Sequence, residues 1–162
     1  RDRSRRSWRD AIGARVAPGG TVLDPDGFRI SSGVGWDPAL TFDGTNYLAV
    51  WVRGFYTGNV YGARVSPAGT VLDPSGVPIA TGYAFAEPAV AFDGTHYLVA
   101  WQAPRAVTRS EIFGGRVSQT GTLLDPGGFR ISPLTADHTE PAVAFDGVNY
   151  LIAWQDRRSD GG

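Results

Sequence analysis

The chain carries one sequence unit three times over, and a period of about 50 residues restricts a fold more than any local pattern does. IGARVAPGGTVLDPDGFRIS from Ile12, YGARVSPAGTVLDPSGVPIA from Tyr61 and FGGRVSQTGTLLDPGGFRIS from Phe113 align. A second block follows each: DPALTFDGTNYLAVW to Trp51, EPAVAFDGTHYLVAW to Trp101 and EPAVAFDGVNYLIAW to Trp154. Arg15, Arg64 and Arg116 are 49 and 52 residues apart, and the three tryptophans 50 and 53, so insertions between copies are small. The repeats run over about 12–60, 61–112 and 113–162, behind a basic N-terminal segment, 1–11.

Within a copy, β-branched and aromatic runs of four to seven residues are cut by Gly, Pro, Asp and Asn, with no helical period. Each copy therefore predicts four short antiparallel strands in an all-β fold. Strand A is PAVAF, B is YLVAW, C is YGARVS and D runs onward from TVLD. Asp-Gly-Thr-Asn, Asp-Gly-Thr-His and Asp-Gly-Val-Asn join A to B, each with a glycine able to take the positive φ of a tight hairpin. Tyr47 to Val52, Tyr97 to Trp101 and Tyr150 to Trp154 are apolar at consecutive positions, so strand B must be covered on both faces. The middle of a propeller blade, sandwiched between neighbouring blades, meets that condition. A β-trefoil, which three such units would complete in one chain, is the alternative.

The paired wording, YGARVSPxGTVLD followed by PAVAFDGTNYLVAW, resembles the tandem β-propeller-type repeats of secreted or surface proteins of bacteria, from Ile12 to Trp154. The resemblance implies an extracellular or cell-surface setting and a binding or adhesion role, without a single activity. The Asp-Gly-Thr turn is also similar to the Asp-box of sialidase-type propellers, but the flanking Ser and closing Thr-Trp are missing, so no sialidase chemistry is carried over.

A propeller needs about four to eight blades, and three leave sheet edges open. The first copy offers strands C and D without a preceding A and B, and the last ends on A and B without C and D. Closure is therefore expected between chains, as a homo-oligomer, or against further sequence of a larger chain or assembly.

In a meander the A–B and C–D turns share one face of the sheets, and the B–C and D–A loops the other. The first is nearly invariant among copies; the second varies, and scaffolds carry function on such loops. Trp36, Phe55, Tyr56, Tyr83 and Phe85 fall in it and suit stacking on sugar rings or anchoring a protein. His138, beside Asp137 and Glu140, is a further candidate for ligand contact. One carboxylate precedes the strand A proline in every copy, Asp37, Glu87 and Glu140. These read either as ion-pair partners of the recurrent Arg15, Arg64 and Arg116, or as a ring at a channel mouth facing a cation or basic group.

No catalytic set, metal site or cofactor motif emerges, and the absence of cysteine removes thiolate chemistry. The net charge of -1 argues against a nucleic-acid partner despite five arginines in the first nine residues, and no apolar run is long enough for a membrane helix. The resemblance, taken with the divergent aromatic loops, thus implies an extracellular binding module for a carbohydrate or protein ligand. The alternatives are a structural or assembly subunit and a glycoside hydrolase-like enzyme using paired carboxylates.

Overall fold

The computed structural model describes residues 10–54, 58–84, 86–106, 109–133 and 136–157, with only the backbone at 83, 84, 86, 105 and 106. Among them there is no helix, hence none long and apolar enough to cross a membrane. Twelve strands form four antiparallel sheets of two, four, four and two strands. The first pairs β1 (Ile12–Gly13) with β2 (Phe28–Arg29). The second runs in order β3 (Trp36–Phe42), β4 (Tyr47–Arg53), β5 (Gly58–Val65), β6 (Val77–Ala84). The third repeats that order with β7 (Ala86–Phe92), β8 (His96–Ala106), β9 (Arg109–Ser118) and β10 (Phe129–Arg130). The fourth pairs β11 (Asp137–Phe145) with β12 (Tyr150–Arg157).

Strand B, the doubly apolar run, becomes β4, β8 and β12. Leu48 and Val50 of β4 face forward and pack with Val90, Tyr97, Val99 and Val117 of the next sheet. Ala49 and Trp51 face back onto Ala11 and Ile30 beside β1–β2. The core therefore lies between successive sheets. Trp51 and Trp101 are almost wholly buried, at 1% and 2% exposure, and Trp154 is half-buried. Strand β7 lies against both β3 and β11, so the three A strands share one side of the stack.

The contact a β-trefoil demands, β12 beside β1 within one chain, is not made: β12 pairs with β11 alone. Strand D also begins later than expected. Val22, Val71 and Leu123 each make a single bridge back to Val16, Val65 and Val117, and the chain then turns. The amides of Gly27, Gly76 and Gly128 bond the carbonyls of Asp24, Asp73 and Asp125 at 2.9–3.0 Å, closing Asp-Pro-x-Gly turns. The proline offers no N–H to a ladder, so pairing resumes only at Phe28, Val77 and Phe129.

Candidate functional site

Two ends of the sheet stack differ in their chemistry. At one end lie the A–B and C–D turns, and polar contacts stitch them. Asp43, Asp93 and Asp146 each accept two backbone N–H bonds at 2.6–2.7 Å from the second and third residues onward, which fixes the hairpin. Asp43 also accepts the Tyr97 hydroxyl of the next sheet at 2.6 Å. Burial pushes the Asp43 carboxyl up, but the bonds from Tyr97, Asn46 and Thr45 outweigh it and hold the group below its ordinary range. Burial first, and then Asp43, push the Tyr97 phenol up. Tyr150 repeats the clasp one sheet on, donating to the His96 carbonyl at 3.0 Å beside Asp93.

The recurrent arginines belong to this end, and this corrects the expectation that they neutralise Asp37, Glu87 and Glu140. Arg15 pairs with Asp24, Arg64 with Asp73 and Arg116 with Asp125, each through Nε and Nη2 at 2.7–2.9 Å. The backbone N–H of each arginine bonds the same carboxylate at 2.9 Å. An aspartate nine residues on can satisfy both the fork and the amide of one residue, which a carboxylate on strand A cannot. These bonds hold the Asp24 and Asp125 carboxyls down at about 2, and hold Asp73 below its ordinary range.

A folded-state pKa below the unfolded one gives stability that is complete above the unfolded value and lost as pH falls through the folded value. The urea midpoint is therefore expected to be flat above about pH 5 and to fall between about pH 4 and pH 2, as the three aspartates take up protons. Asp73→Asn should flatten part of that fall. A midpoint unchanged down to pH 2 would contradict the assignment.

The other end carries the B–C and D–A connections, and strands β3, β7 and β11 start there. Asp37, Glu87 and Glu140 occupy one equivalent position on these strands, at φ 50°, 59° and 56°, and are the non-glycine residues with positive φ among the described residues. Pairing with the neighbouring strand is irregular at each, between Trp36 and Ala39, Ala86 and Ala89, and Thr139 and Ala142. A left-handed residue in a strand is strained for a side chain with a Cβ, and a bulge re-aims that side chain out of the pleat. Three sheets keep this feature. The Glu87 carboxyl is pushed up, first by burial and then by the charges of Glu140 and Asp37. Glu140 also accepts a bond from the Gln155 amide, while Asp37 is exposed. The three carboxylates thus hold one equivalent position at this end of the sheets, while the recurrent arginines bond aspartates at the other end. No group of three or more acidic, histidine or cysteine side chains suited to a metal ion occurs among the described residues.

Near this end a cleft of about 290 Å³ is lined by Thr81, Trp101, Pro104, Glu111 and Phe113. Glu111 was not among the sequence candidates. It stands on β9 where the preceding copy has Asn59 on β5, and it is buried at 5% exposure. A carboxylate replacing a neutral residue in an apolar strand is the signal that could have found it.

The aromatic candidates fare differently. Trp36 opens strand β3 instead of lying in a loop, and is half-buried. Phe55, Tyr56 and Phe85 lie outside the described residues, as do the side chain of Tyr83 and the arginines at 1–9. His138 lies within β11, not in a loop, fully buried with its ring edge-on to Trp154 at 5.8 Å, so it offers no surface to a ligand in solvent.

No family model and no curated protein matches the sequence. Among solved structures, the chain is similar to the crystal structure of alpha-L-arabinofuranosidase from Lactobacillus brevis, with a TM-score of 0.55 at 15% identity. The likeness covers 86% of this chain and 50% of that one, so this chain spans half the length of its structural neighbour. At that identity the likeness concerns the fold alone.

Proposed function

We propose that the sheets are β-propeller blades and that the chain is an extracellular binding module directed at carbohydrate. The observation that carries this reading is the recurrence of a positive-φ carboxylate, Asp37, Glu87 and Glu140, at one irregularly paired position of three sheets, on the end where the copies diverge. Carboxylate oxygens accept hydrogen bonds from vicinal hydroxyls, and polyhydroxylated ligands present many such donors at once. Trp36 beside Asp37, and the half-buried Phe113 ring of the neighbouring cleft, supply apolar faces for a sugar ring. The structural neighbour is named for an activity on an arabinofuranoside, which lends support to a carbohydrate ligand.

A glycan array followed by titration calorimetry on the best glycan tests this. We expect Asp37→Asn, Glu87→Gln and Glu140→Gln combined to weaken binding at least about tenfold, the scale of one lost charge-assisted bond. Trp36→Ala should weaken it further. Undiminished binding in the triple variant overturns the carboxylate reading. Release of sugar from an aryl arabinofuranoside by the unaltered chain, lost in Glu87→Gln, would put the hydrolase alternative in its place.

A further inference from the structure

The cleft of about 290 Å³ lies between the two four-stranded sheets, with Thr81 of β6 on one side and Ala103 of β8 and Glu111 and Phe113 of β9 on the other. Both of the sheets that bound it have all four strands. The equivalent space occurs one sheet earlier, where strand D of the first copy meets the sheet β3–β6. The repeat gives each lining position a counterpart there: Ser32 for Thr81, Arg53 for Ala103, Asn59 for Glu111 and Tyr61 for Phe113.

At the earlier position an arginine occupies the space. The Arg53 guanidinium carbon lies 5.2 Å from the centre of the Tyr61 ring. Its Nη2 extends to the D–A connection of the preceding copy, 4.0 Å from where a Cβ on Gly33 would sit. Arg53 faces Asn59 across the β4–β5 ladder, and Ala103 faces Glu111 across β8–β9. Residues so paired stand on one face of a sheet, with Cβ atoms about 5 Å apart. The third sheet therefore changes both members of one cross-strand pair. A cation with a neutral partner becomes a small apolar residue with an anion, so the side chain that filled the space is gone and a carboxylate stands beside the gap. That carboxylate is 5% exposed.

We infer that this cleft binds a guanidinium on an alkyl stem, the side chain of an arginine in a peptide ligand, seated as Arg53 is seated one sheet earlier. Each part of that group has a place. The stem takes the room that Ala103 leaves, and the planar cation lies on the half-buried Phe113 ring as Arg53 lies on Tyr61. The fork of N–H donors meets Glu111. Carboxylate oxygens carry lone pairs for several donors, so Glu111 receives the fork beside any contact it already makes. An ammonium would bring the charge without the flat face or the fork. The carboxylates that recur at this end, Asp37, Glu87 and Glu140, repel a ligand with an anion of its own, which favours arginine within a peptide over the free amino acid. The inference goes beyond the glycan reading and stands without it. Phe113 is common to both, so an arginine in the cleft takes that ring from a sugar and leaves it Trp36 and the strand A carboxylates.

Titrations followed by amide NMR, with N-acetyl-arginine amide, its lysine and citrulline counterparts and free arginine as probes, test this. The blocked arginine should shift the signals of Thr81 and Gly127, which line the cleft. It should bind at least about tenfold more tightly than the citrulline compound, which keeps the shape and lacks the charge. The lysine compound should fall between them, and free arginine should bind more weakly than the blocked form. Glu111→Gln should weaken binding of the blocked arginine by at least about tenfold. Ala103→Arg gives the third sheet the side chain that the second already carries at that position, so it should keep the circular dichroism spectrum and the urea midpoint while abolishing binding, because it fills the cleft from within. No binding by the unaltered chain, equal binding of the arginine and citrulline compounds, or binding undiminished in Ala103→Arg overturns the inference. Tighter binding of free arginine than of the blocked form overturns the peptide as source and supports the guanidinium site. A glycan array of either outcome leaves these readouts unchanged, so the two readings fail separately.

Discussion

Replacing Trp51 by alanine is expected to lower the unfolding free energy by about 3–5 kcal/mol, enough to consume much of the 5–15 kcal/mol typical of a domain. The ring is 1% exposed and closes the back-facing cluster with Ala49, Ala63 and Val65. It stacks on Tyr61 of the adjoining strand at 6.5 Å between ring centres. Its removal leaves a void between two sheets that cannot collapse without breaking the β4–β5 ladder. Phenylalanine should cost much less, for two reasons. It refills most of the volume, and it removes an indole N–H that is buried without a hydrogen-bond partner. Trp154→Ala, at a half-buried ring, should fall below half the Trp51 effect. Urea titrations followed by circular dichroism give all three values, and a Trp51→Ala cost under about 1 kcal/mol would refute this account of the core.

Gly128→Ala is expected to be the next most damaging change, at about 2–5 kcal/mol, where the adjacent Gly127→Ala should cost about 1–2 kcal/mol. Both residues have positive φ, at 71° and 85°, so both substitutions meet the same backbone strain. They differ in what a Cβ would touch. At Gly127 it meets open space, whereas at Gly128 it would lie 2.7 Å from two atoms of the Trp101 ring and 2.9 Å from the Gly114 carbonyl oxygen. Neither neighbour can yield, because Trp101 is held in the core between two sheets and Gly114 belongs to the β9 ladder. Equal costs at the two glycines, measured by the same titration, would show that the turn relaxes away from the ring.

The sequence made strand B and the A–B hairpins plain, because burial on both faces and the Asp-Gly step are local properties of the chain. It misplaced strand D because β-propensity in Thr-Val-Leu was weighed without the Asp-Pro-x-Gly turn that follows, whose proline ends the ladder after one bridge. The partner of each arginine was equally visible as a recurrence nine residues on. The aspartate's two oxygens and the arginine's fork and amide form a matched set. The carboxylates of strand A could be enumerated but not placed. Their common position depends on backbone φ at a bulge and on β7 lying against both β3 and β11, and both are tertiary facts. Glu111 escaped notice since a single charged side chain in one of three copies looks like drift until its burial is known.

The tyrosine clasp has a consequence for how such a chain can lengthen. Its donor, Tyr97, opens a strand B, and its acceptor, Asp43, sits in the hairpin just before the equivalent strand of the previous copy. Donor and acceptor thus belong to one short block, Asp-Gly-x-x-Tyr, facing opposite neighbours. A tandem duplication of a copy inserts a socket and a plug together, so each new sheet arrives able to hold the one behind it and to be held by the one ahead. Selection then has no need to invent a joint for each added unit, and the opposite end of the sheets is left to diverge.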